Sequence, residues 1–115
     1  MSKLVRIGLE QLQIDMFIGI NEEEIKAKQK VFIDIECKID VLADQIDETL
    51  DYRIFESICK ELSTEKHYDL IETLAKDILM KVMEIKHVKS IKLKVTKPFA
   101  IENSNGAYVI IEQEL

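Results

Sequence analysis

A chain of 115 residues, 47% hydrophobic and 33% charged, has room for one soluble core and none for a second, so residues 1–115 are read as a single domain. A formal charge of −6 argues against a general nucleic-acid binder, which needs a basic face to release counterions. No apolar run approaches the roughly 18 residues of a membrane span, and Lys3, Arg6, Glu10 and Asp15 interrupt any secretory leader. A cytoplasmic protein without membrane contact is expected.

Residues 3–20, KLVRIGLEQLQIDMFIGI, read as a long first strand whose alternation slips phase near Glu10-Gln11, the mark of a bulge. Residues 30–40 alternate cleanly. Val31, Ile33, Ile35, Cys37 and Ile39 point one way, and Asp34, Glu36, Lys38 and Asp40 the other. The period then changes. From Tyr52 to Leu62 the apolar residues Ile54, Phe55, Ile58, Cys59 and Leu62 follow helical spacing, with Asp51 placed to cap the helix. A second helix is expected from about Leu70 to Ile85, with Ile71, Leu74, Ala75, Ile78, Val82 and Ile85 on one stripe. Asp69 followed by Glu72 has the spacing of a capping box. Two strands, 88–97 and about 107–114, close the chain around the polar loop FAIENSNGA.

The order ββααββ predicts an α+β domain with two helices on one face of an antiparallel sheet. Asp34, Glu36, Lys38, Lys92 and Lys94 give the uncovered face a mixed charge suited to water or a solvated channel. Cys37 and Cys59 lack a CxxC partner and read as buried free thiols, and His67 and His87 lack zinc-site spacing. No metal is expected. The chain contains no GxGxxG, P-loop or GxSxG motif.

The segment IKLKVTKPFA poses a question of its own. Ile91, Leu93 and Val95 share a face with Lys97, so a cation falls on the apolar side where Pro98 ends the strand. Partial desolvation there favours the neutral amine, whereas a snorkelling side chain would only pack its stem and wet its head.

Four ordered blocks carry a resemblance: FIGINEEEIKAKQKVFIDIE (17–36), TLDYRIFESI (49–58), DLIETLAKDIL (69–79) and VTKPFAI (95–101). Together they resemble dihydroneopterin aldolase of folate biosynthesis over nearly the whole chain. The first block is also similar to the related dihydroneopterin triphosphate 2′-epimerase. The resemblance implies the tunnelling fold, in which ββααββ subunits join edge to edge into a ring and two tetrameric rings stack as an octamer. It places pterin sites between neighbouring subunits.

It also implies a metal-independent, cofactor-free carbon–carbon lyase. The dihydropterin ring carries its own C=N electron sink, so the protein need only bind the ring and move protons. On this resemblance Lys97 is the base and Glu72 the pterin anchor, with Ile71 beside it. Tyr52, with Leu50 and Asp51 before it, comes from the adjoining subunit to hold water or donate a proton. Glu24 orients the substrate side chain, with Glu22 and Glu23 as competitors for the register and a solvated charge run as the plainer reading. Ile18, where many aldolases have histidine, and the 99–106 loop, where many are proline-rich, depart from the pattern. The loop after Lys97 carries Glu102 and no cation, which favours aldolase over epimerase, while Lys26 and Lys28 keep the epimerase open. A non-catalytic pterin- or purine-binding protein is the remaining alternative.

Overall fold

Alternation in the second strand passes into the structure without a slip: Val31, Ile33, Ile35, Cys37 and Ile39 are buried and the residues between them half-exposed. The computed structural model describes residues 4–40, 44–46 and 49–114. Four strands, β1 (Leu4–Met16), β2 (Gln29–Asp40), β3 (Val88–Lys97) and β4 (Ala107–Glu114), form one antiparallel sheet in that spatial order. Three helices complete the described chain: α1 (Glu22–Lys26), α2 (Arg53–Glu65) and α3 (Ile71–Met83). The α2 helix buries Phe55, Cys59 and Leu62, and α3 buries Ile71, Leu74, Ala75, Ile78, Leu79 and Val82. Both stripes cover the apolar face formed by Ile33, Ile35, Leu93 and Val95, giving one continuous core. No helix among the described residues is long and apolar enough to cross a membrane.

On the other face, Asp34 lies opposite Lys94 and Glu36 opposite Lys92, so the mixed charge is arranged as complementary cross-strand pairs. The expected bulge is present. Register shifts between Leu9 and Leu12, Gln11 adopts φ 50°, and its N–H donates to Asp34 Oδ1 at 2.9 Å. Cys37 and Cys59 are free and buried, and burial pushes both thiols up to about 12.

Three local expectations are corrected. The first strand ends at Met16, four residues early, because the next segment leaves the sheet: Gly19 N–H donates to the Tyr68 carbonyl at 2.8 Å and Tyr68 N–H to the Phe17 carbonyl at 3.4 Å. Its expected start at Lys3 lies outside the described residues. Asp51 is not the N-cap of α2. Tyr52 holds that position, and Asp51 acts one residue earlier, its Oδ1 accepting from Arg53 N–H at 3.0 Å. The Asp69/Glu72 capping box does not form either. Leu70 is the N-cap of α3 and makes no side-chain cap bond, while Asp69 turns to His67 at 3.3 Å. A short helix that the sequence reading passed over, α1, has a true capping box instead: Glu24 N–H donates to Asn21 Oδ1 at 2.9 Å and Asn21 N–H to Glu24 Oε1 at 3.4 Å.

Candidate active site

The cation at the end of β3 has a partner. Lys97 Nζ donates to Glu24 Oε2, and the two side chains are only 16% and 17% exposed. The apolar rim therefore holds an ion pair. Asn21 starts the turn that lifts Glu24 out of the acidic run, which selects Glu24 over Glu22 and Glu23 as the carboxylate facing Lys97. Gln29, at the first position of β2, donates from Nε2 to Glu24 Oε2 at 3.0 Å and to the Ile18 carbonyl at 2.5 Å. The Lys97 hydrogen bond, helped by Gln29 and the Asn21 backbone and opposed by burial, holds the Glu24 carboxyl down at about 2. It is a fixed anion at neutral pH.

Gly19 is required by the same arrangement. Its φ is +124°, and a methyl group there would overlap the Glu24 carboxyl. The Gly19 carbonyl lies 2.8 Å from His67 Nε2, and its N–H is taken by Tyr68. Tyr68 is itself anchored through its hydroxyl to Asp77 Oδ2 at 2.7 Å, in α3. Glu72, exposed in the first turn of α3, lies four residues beyond Tyr68, within about 14 Å of chain reach. Freed from any cap, its carboxylate has no protein hydrogen bond among the described residues, and Ile71 beside it is packed into the core. An open groove of about 300 Å³ adjoins the ion pair at Glu24, with Asn21, Lys28, Gln29, Phe99 and Ala100 also in its lining.

Tyr52 is elsewhere. It is exposed and, with Leu50, Asp51 and Ile7, lines a second groove of about 430 Å³. Leu50 is buried and Asp51 binds the Arg53 guanidinium at 2.6 Å, which holds its carboxyl below the usual range. Ile7 lies opposite Cys37, and Cys37 opposite Ile91, six residues along β3 from Lys97. At about 3.3 Å per residue the two grooves are about 20 Å apart along the sheet. One chain brings together Lys97 and Glu24; Glu72 is not among the residues lining their groove, and Tyr52 lines the other groove, towards the opposite end of the sheet.

The sequence alone assigns no role to Gly19, Asn21, Gln29 or Phe99. The Asn-x-x-Glu spacing was the available signal for Asn21.

A family model described as FolB, dihydroneopterin aldolase, matches residues 7–114. The chain belongs to the dihydroneopterin aldolase family. It is 32% identical over 112 residues to a dihydroneopterin triphosphate 2′-epimerase of Pseudomonas aeruginosa, covering 94% of this chain and 91% of that relative. Among solved structures it resembles the E. coli dihydroneopterin aldolase in complex with neopterin, with TM-score 0.86 and 24% identity over 96% of this chain and 98% of the other. It also resembles the Burkholderia thailendensis dihydroneopterin aldolase bound to guanine, with TM-score 0.85 and 20% identity over 97% and 92%. These two likenesses carry the fold: the antiparallel sheet with helices on one face, expected from ββααββ, is the architecture of dihydroneopterin aldolases.

Proposed function

We propose that this chain is a dihydroneopterin aldolase, cutting 7,8-dihydroneopterin into 6-hydroxymethyl-7,8-dihydropterin and glycolaldehyde. The observation that carries the reading is the covered Glu24–Lys97 pair beside an open groove, on the α3 side of the sheet. Neopterin and guanine, held by the two similar structures, share a 2-amino-4-oxopyrimidine edge. Glu72 is a carboxylate able to accept two parallel hydrogen bonds from such an edge.

In the cleavage, the 2′-hydroxyl loses its proton, the C1′–C2′ bond breaks to release glycolaldehyde, and its electron pair flows into the ring C=N. The exocyclic carbon then takes a proton to give the hydroxymethyl product. A carboxyl held at about 2 is a weak base, so Glu24 serves to orient; Lys97, the ammonium of the ion pair, exchanges protons with the substrate and takes up the 2′-hydroxyl proton only after giving up one of its own. Tyr52 lines a groove whose Ile7 wall lies about 20 Å along the sheet from the Lys97 end, which favours its entry from a second copy. Both sheet edges support such an assembly: β1 and β4 have no strand beyond them among the described residues, and Leu4, Val5, Tyr108 and Ile110 are exposed along them. Rings formed edge to edge, two of them stacked as an octamer, accommodate both facts.

Epimerisation is the second reading, favoured by the 32% identity to an epimerase and by Lys28 in the groove beside Glu24. It uses the same bond cleavage, with recombination on the opposite face. Incubating the protein separately with 7,8-dihydroneopterin and its triphosphate, and resolving glycolaldehyde, hydroxymethyl product and 2′-epimer, tests both. Glycolaldehyde from the unphosphorylated substrate is the expected result. Epimer from the triphosphate alone would replace the aldolase with the epimerase, and pterin binding without turnover would leave only a binding protein.

A further inference from the structure

The two oxygens of the Glu24 carboxylate are not equivalent. Oε2 accepts from both Lys97 Nζ and Gln29 Nε2, whereas Oε1 meets only the Asn21 N–H, at 3.4 Å. The orientation of the Gln29 amide follows from its surroundings. Its Nε2 faces two acceptors, the Ile18 carbonyl and Glu24 Oε2, so only the NH₂ end can point there and both of its N–H groups are engaged. Lys97 alone cannot fix the carboxylate, because an ammonium on a flexible stem follows its partner through many directions. A planar amide tied to a backbone carbonyl cannot. The steric half of the clamp is Gly19, whose bare Cα leaves space for the carboxyl.

We infer that Gln29 is a positioning residue: it pins Glu24 Oε2 against Lys97 and reserves Oε1 as the oxygen that meets the substrate's side-chain hydroxyl or its water. The inference rests on the pterin reading above for the identity of that substrate. Its physical core, the locked carboxylate, can be tested without turnover. Removing a donor from a carboxylate destabilises its charged form, so loss of Gln29 raises the Glu24 titration midpoint.

The experiment compares wild type with Gln29→Met, which keeps length and packing, and Gln29→Glu, which keeps shape but replaces the donor with an acceptor. The first readout is the ¹³C titration of the Glu24 carboxyl, assigned by its disappearance in Glu24→Gln. The midpoint should rise by about one pH unit in Gln29→Met, and further in Gln29→Glu. The second readout is steady-state kinetics on 7,8-dihydroneopterin. There kcat should fall by about 10- to 100-fold with pterin affinity within about twofold, because the ring is held elsewhere. The acid limb of the kcat profile should move with the carboxyl midpoint. An unmoved midpoint in either folded variant overturns the inference, as does a parallel loss of kcat and affinity with lowered Tm and no change in the pH profile. Should Gln29→Met not fold, the isosteric Gln29→Glu decides. A wild type inactive on both pterins would overturn the proposed function, and the carboxyl titration would still decide the role of Gln29.

Discussion

Lys97 and Glu24 stand 73 positions apart in the chain and form an ion pair in which each side chain is more than four-fifths covered. A pair of this kind is costly to break from one side, because the remaining charge keeps its desolvation and loses its partner. It also fixes an amine and a carboxylate at one point on the rim of the core.

Lys97→Ala should lower kcat on 7,8-dihydroneopterin by about 10²- to 10⁴-fold, the range for losing a proton-transfer group. Pterin affinity should be largely retained, since that group acts in the transition state and not in holding the ring. Stopped-flow turnover and a fluorescence titration with neopterin separate the two quantities. Turnover near the wild-type rate would remove Lys97 as the proton-transfer group.

The depressed Glu24 carboxyl fixes a sign for acid stability. Its ordinary value is 4.5 and its folded value about 2. The folded state therefore binds that proton less readily than the unfolded state, and the pair stabilises the fold above pH 4.5. As pH falls from 4.5 towards 2 the contribution disappears; it amounts to about 2 kcal/mol once the solvent-reached part of both side chains is allowed for. Urea unfolding of wild type and Glu24→Gln should show a stability gap at pH 6 that narrows steadily to pH 2.5. A gap independent of pH would mean that Glu24 contributes by packing and not by charge.

The β3 parity made Lys97 legible from sequence, because period two and a terminal proline are local properties. The same is true of β2 and of the α3 stripe. Its partner was not legible. A pairing across 73 positions leaves no local trace, and Glu24 stands in a run of three glutamates that also suits a solvated face. The five-residue α1 buries nothing, so it has no periodicity to detect. Asn21-x-x-Glu24 and Asp69-x-x-Glu72 have the same capping spacing, yet only the first forms a box. The helix start decides between them: Asn21 stands at the N-cap of α1, whereas the N-cap of α3 falls one residue after Asp69, at Leu70. The end of β1 was misread for a related reason. Apolar residues continue through Phe17, Ile18 and Ile20, but Ile18 is buried against the Tyr68 segment and not within the sheet.

Glu72 tests the ring-binding end. With no cap to serve, its carboxylate is available to a pterin edge, and Glu72→Ala should weaken neopterin binding by about 2 to 5 kcal/mol. The fold should be unaffected, because the side chain is exposed and α3 is held by its buried stripe. Isothermal titration on a variant with unchanged Tm provides the check. Unchanged affinity would move the anchor to another residue.

The two thiols offer a control on the core. Burial pushes Cys37 and Cys59 up to about 12, so neither supplies thiolate at pH 8. Iodoacetamide should label neither in the native protein and both in 6 M guanidinium. Labelling of the native form at either position would contradict the packing of β2 or α2.

The placing of Tyr52 and Lys97 at opposite ends of the sheet has a consequence for assembly that a self-contained site lacks. If the working site joins Tyr52 of one copy to Lys97 and Glu72 of another, Tyr52→Ala and Lys97→Ala should each be nearly inactive for different halves of the same site. Unfolding the two variants together and reassembling them in equal amounts mixes the halves. A Lys97→Ala chain still supplies an intact Tyr52, and a Tyr52→Ala chain an intact Lys97, so about a quarter of randomly formed interfaces would be complete. Recovered activity should approach that fraction of wild type. A monomer with its charged sheet face in bulk water predicts no recovery. A mixture that demonstrably exchanges subunits, by mass spectrometry of differently tagged chains, yet stays as inactive as its parents would sink the two-chain site. A monomeric wild-type mass by light scattering would sink the ring as well, since unpaired β1 and β4 edges would then be the native state.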